Sequence, residues 1–123
     1  MTGPELDLRR RIMVAFAETG APPVLSDADR PVAEALHRRH VVVLDPAGAV
    51  RMAHPFAAHR EGTRVDTGGR AWWGNCAWDG LGIVAALGLT DATVTSNGLE
   101  ATDDLLFHVA VPAAQWWADV GFT

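Results

Sequence analysis

Asn75-Cys76-Ala77-Trp78-Asp79 is the stretch on which the reading of this chain turns. Gly74 and Asn75 interrupt what precedes it, and Asn is a favourable N-cap because its side-chain oxygen accepts an unpaired amide of the first turn. The pattern predicts a helix from Cys76 to Leu87, ended by Gly88, with Cys76 at the first helical position. There the helix dipole and the free amides favour a thiolate over a thiol. Asp79 follows three residues later on the same face, near enough to share a ligand or a proton with the sulfur. Gly80 and Gly82 each cost a helix roughly 1 kcal/mol relative to Ala, so another backbone or a ligand is expected to come close to that face.

Outward from this helix, Arg64-Val65-Asp66 and Arg70-Ala71-Trp72-Trp73 read as strands joined by the turn residues Gly68-Gly69. Ala92 to Thr95 reads as a strand followed by an Asn97-Gly98 hairpin turn. Leu105 to Val111 reads as a buried strand, and Pro112 opens a short helix with Trp116 and Trp117. Towards the N-terminus, Leu8, Ile12 and Phe16 recur at helical spacing in a helix over 5–19 that Gly20 and Pro22-Pro23 stop. Ser26, with Asp29 in a box-like position and Pro31 in the first turn, starts a second helix that closes on His37-Arg38-Arg39-His40. Val41–Leu44, the turn Asp45-Pro46-Ala47-Gly48, and Ala49–Met52 form a hairpin signal.

The class is α+β. Residues 1–54 read as a shortened winged-helix-like region, in which a Pro-rich segment stands where a middle helix would be. His54-Pro55-Phe56 marks a boundary. Residues 55–123 then supply a small mixed or antiparallel sheet with the Cys-bearing helix.

Composition narrows the function. The chain has 123 residues and is 49% apolar and 20% charged, which suits one globular domain. Its basic residues are all Arg, and the net charge is −5. Residues 1–54 balance seven Arg against seven acids, so neither part has the basic excess that nucleic-acid binding needs. A single cysteine excludes an internal disulfide and multi-cysteine zinc frameworks. With no signal-like run and no membrane-length apolar segment, a cytoplasmic protein with no nucleic-acid or membrane partner is expected.

Cys76 heads the chemical candidates, although a lone cysteine is often only a small buried hydrophobe. Trp72, Trp73 and Trp78 bracket it, as core and sheet cover and, compatibly with that, as an apolar wall holding an organic group. His54, His59 and His108 are further candidate acids, bases or ligands, each more readily read as a satisfied core residue. No serine elbow, phosphate-binding glycine loop or dinucleotide fingerprint is present.

The run His54-Pro55-Phe56, the helix start Cys76-Ala77-Trp78-Asp79-Gly80-Leu81-Gly82-Ile83, and Val111-Pro112-Ala113-Ala114-Gln115-Trp116-Trp117 resemble the alkylmercury (organomercurial) lyase family. The resemblance implies an alkylmercury-lyase-like catalytic core over 55–123 and protonolysis of carbon–mercury bonds. By position it makes Cys76 the mercury-binding thiolate and Asp79 the proton carrier or an extra mercury ligand. Trp72, Trp73, Trp78, Phe56 and His108 would line the substrate pocket. The family's second cysteine, expected near Ala101-Thr102-Asp103-Asp104, has no counterpart in this chain. The reading is therefore a shortened member with no bound cofactor, an organomercurial or small organic substrate, and small external thiols as partners. Two alternatives stand beside it: Cys76 and Asp79 acting on a metal-free organic substrate, or a non-catalytic mercury- or metal-binding module.

Overall fold

A computed structural model describes residues 1–101. It is α+β, with three helices and two antiparallel sheets among the described residues. The strand expected at Leu105–Val111 and the helix expected from Pro112 lie outside them, as do His108, Trp116 and Trp117.

Helix α1 spans Gly3–Thr19 and buries Glu5, Leu8, Ile12 and Phe16 along one face. Thr2 caps it in a reciprocal box with Glu5, and Gly20, at φ 75°, ends it. Helix α2 spans Arg30–Arg38. Ser26 and Asp29 do exchange hydrogen bonds, but across a turn; the helix begins one residue after Asp29, later than the Ser26 cap predicts.

Strands β1 (Val43–Leu44), β2 (Val50–Ala53) and β3 (Phe56–Ala57) form the first sheet, in the order β1-β2-β3. Asp45 holds the β1–β2 turn by accepting from the amides of Ala47 and Ala49. Strand β3 lies past His54 yet pairs with β2, so this sheet crosses the boundary residue.

The second sheet contains β4 (Thr63–Thr67), β5 (Arg70–Gly74), β6 (Thr93–Ser96) and β7 (Leu99–Glu100), in the order β5-β4-β6-β7. Tight turns at Gly68-Gly69 and Asn97-Gly98, all four at positive φ, match the hand of the strands they join. Helix α3, Ala77–Leu87, packs across β4, β5 and β6. One hydrophobic core joins both halves: Phe16 of α1 stacks on Phe56 with ring centroids 5.4 Å apart, and Ile83 and Val94 belong to the same cluster.

The C-terminal end of α1 docks on β5. Arg70 donates to the Ala17 and Glu18 carbonyls, and the Trp72 indole N–H donates to Ala17. These bonds satisfy carbonyls that a helix end leaves unpaired.

Candidate functional site

The site is built where β5 turns into α3. Cys76 is the N-cap itself, with extended backbone (φ −141°, ψ 172°), and Ala77 is the first helical residue. This shifts the expected arrangement by one position. Asn75 does not cap; its backbone N–H donates to Asp79 Oδ2 at 3.0 Å. The Cys76 N–H donates to the same oxygen at 3.3 Å, while the Cys76 sulfur accepts from the Asp79 backbone N–H. The pair is thus a capping box in which cysteine and aspartate replace the usual hydroxyl and glutamate.

Three glycines make room for it. A Cβ on Gly74 would sit 2.6 Å from the Asp79 Cβ, and one on Gly80 would sit 2.5 Å from Thr63 Cγ2 and 2.8 Å from Val94 Cγ1. At Gly82 a Cβ would come within 3.2 Å of the Pro55 ring. The close approach expected at this helix is therefore protein on protein: Gly80 lies on the sheet and Gly82 on Pro55. The Pro55 contact brings the preceding residue to the head of α3, where His54 Nδ1 donates to Asp79 Oδ1 at 2.8 Å. Nothing in the local sequence announces this partnership, because it depends on a contact between segments more than twenty residues apart.

Electrostatics follow from that packing. Asp79 is only 5% exposed, and both its oxygens are engaged. The hydrogen bond to Asp79 raises the His54 pKa above its ordinary value against an opposing effect of burial. Cys76 is half-buried, and burial pushes its thiol up. The Asp79 and Trp78 amides pull the other way, and the Asp79 carboxylate adds to the rise both by its charge and by accepting from the thiol. The direction is opposite to the one expected at the helix start, because burial and the neighbouring carboxylate outweigh the two amides.

The structure disperses the other pocket candidates. Trp72 is 1% exposed and anchored to α1, and Phe56 is buried on Phe16, so both pack in the core. Trp73 lies on the opposite sheet face from Trp72, beside the Arg64 guanidinium. Trp78, two residues past the thiol in sequence and 60% exposed, is a bracketing tryptophan that stays open to solvent. His59 hydrogen-bonds the Asn75 side chain, and burial lowers its pKa. Among the described residues no group of three or more His, Cys, Asp or Glu is arranged to hold a metal ion.

The head of α3 thus sets a half-buried thiol beside a buried carboxylate whose two oxygens are both engaged. Residues 56–116 match the family model for alkylmercury lyase. That stretch, which carries Cys76 and Asp79, is similar to the alkylmercury lyase family. No curated protein and no solved structure matches the chain.

Proposed function

We propose that this protein cleaves carbon–mercury bonds by protonolysis, with Cys76 as the mercury-binding thiolate and Asp79 as the proton carrier. The reading is carried by the Cys76–Asp79 box lying inside the family-matched stretch. Mercury prefers sulfur to oxygen or nitrogen donors, so an organomercurial cation exchanges its leaving ligand for the Cys76 sulfur. The thiol proton passes to Asp79, its partner in the box at the head of α3.

Asp79 then returns that proton to carbon. The electron pair of the carbon–mercury bond forms the new carbon–hydrogen bond, and Hg(II) remains on Cys76. Nothing is oxidised or reduced. With one protein sulfur on the metal, two external thiols remove Hg(II) and return a proton to Cys76. Such thiols and a reduced free cysteine fit a reducing compartment, the cytoplasm. Trp78, exposed in the first turn of α3, offers an apolar surface for the organic group.

The test is a single-turnover incubation with phenylmercury or methylmercury and excess small thiol, following the released hydrocarbon. Release that requires both Cys76 and Asp79 supports the reading. Tight mercury binding at Cys76 without hydrocarbon overturns it and leaves a sequestering module. Turnover of an organic compound without metal would select the other alternative.

A further inference from the structure

We infer that His54 is a positioning residue for Asp79: its imidazole holds the second carboxylate oxygen so that the acid stays aimed at the Cys76 sulfur. The chemistry this serves rests on the lyase reading above, but the geometry stands without it. Asp79 Oδ2 is pinned by the Asn75 and Cys76 amides, as any N-terminal box would pin it. That leaves the carboxylate free to rock about its remaining torsion. The contact from His54 Nδ1 to Oδ1, at 2.8 Å, removes this freedom. A proton donor held in one orientation spends no time in geometries that cannot reach carbon.

Two observations separate this role from simple stabilisation. The His54 side chain is 68% exposed, and a polar contact so open to water adds little to folding. Its placement nonetheless depends on features well apart in the chain. Pro55 seats on Gly82, and Gly74 leaves the space that a side chain at that position would take from Asp79.

Asparagine provides the test. Its amide nitrogen hangs on Cγ as histidine's Nδ1 does, so His54→Asn keeps a donor at the same place, whereas His54→Ala removes it. With methylmercury and excess small thiol, H54A is expected to lower kcat by about tenfold while KM stays within about twofold. H54N is expected to recover kcat to within about threefold of the parent. Amide hydrogen exchange gives a readout that needs no turnover: the Asn75 and Cys76 N–H groups should exchange at least about fivefold faster in H54A and near the parent rate in H54N.

Unchanged exchange and kcat in H54A overturn the inference, and so does an H54N protein as impaired as H54A. If the parent protein releases no hydrocarbon, the lyase reading fails, and the exchange rates alone decide for or against His54.

Discussion

Helices α1 and α3 begin with the same device made from different atoms. At α1, the Thr2 hydroxyl accepts from the Glu5 N–H, and the Glu5 carboxylate accepts from the Thr2 N–H, both at 3.3 Å. At α3, a cysteine sulfur and an aspartate make the same exchange. In each case the acid is nearly buried and meets an outside partner: Arg39 Nε lies 3.4 Å from Glu5, and His54 Nδ1 lies 2.8 Å from Asp79. The α1 box joins a hydroxyl of high pKa to a guanidinium that never gives up its proton. The α3 box joins a thiol to an imidazole, two groups that can each give up and regain a proton. One fold element thus serves once as structure and, in the function proposed above, once as a chemical site.

The sharpest way to break this comparison is to remove only the chemistry from α3. Asp79→Asn keeps an acceptor oxygen for the Asn75 and Cys76 amides but cannot carry a proton. Hydrocarbon release should fall by about 100-fold or more, in line with the loss of a positioned proton carrier, while methylmercury still binds Cys76. Release at the parent rate would reduce the α3 box to a structural cap like that of α1.

Glycine substitutions probe the packing beneath each helix. Gly3 of α1 has no heavy atom within 4 Å of where a Cβ would stand, so Gly3→Ala should leave stability unchanged or slightly higher. Gly80→Ala would drive a methyl into Thr63 and Val94, which are 0% and 6% exposed and cannot yield. The overpacking cost exceeds the helix-propensity gain of about 1 kcal/mol, for a net loss of about 1–2 kcal/mol in denaturant unfolding. Equal effects at the two positions would show that α3 does not lie on the sheet as described.

The thiol itself gives a smaller effect with a definite sign. Its raised pKa favours the protonated form in the folded protein, so the rate of Cys76 alkylation should reach its midpoint above the free-cysteine value of about 8.5. The same shift makes folding weaken as pH rises beyond the ordinary thiol range and through the folded value. A midpoint at or below that of free cysteine would restore the thiolate that the helix-start argument expects.

How much of this was legible in the sequence differs between the two helices. Leu8, Ile12 and Phe16 disclose the buried face of α1 by spacing alone, and Gly20 discloses its end. For α3 the reactive pair was legible for the same reason: three-residue spacing at a helix head needs only local geometry. The register slipped by one because Asn75 is the better cap on propensity, whereas the structure turns its backbone to Asp79 instead. The thiol shift was misread because the dipole is visible in a sequence and burial is not. Trp72 looked like a pocket wall from its nearness to Cys76 in sequence. Its place between β5 and the end of α1 follows from long-range docking that no local pattern encodes. His54 was a candidate without a partner, since Pro55 and Gly82 must first meet.

The mildest expected effect tests whether the two boxes are interchangeable as caps. Thr2→Ala removes the hydroxyl that accepts from Glu5 and should cost about 0.5–1 kcal/mol. Cys76→Ser does the reverse: it substitutes a stronger acceptor of similar shape at the N-cap, where serine is among the preferred residues. Thermal unfolding of C76S should therefore match or slightly exceed that of the parent, even as mercury capture is lost. Such a result would mean that cysteine holds this position at no advantage to the helix, which leaves chemistry as its reason. A clear loss of stability in C76S would instead place the sulfur in the packing of the half-buried site, and the two boxes would be alike in purpose as well as in form.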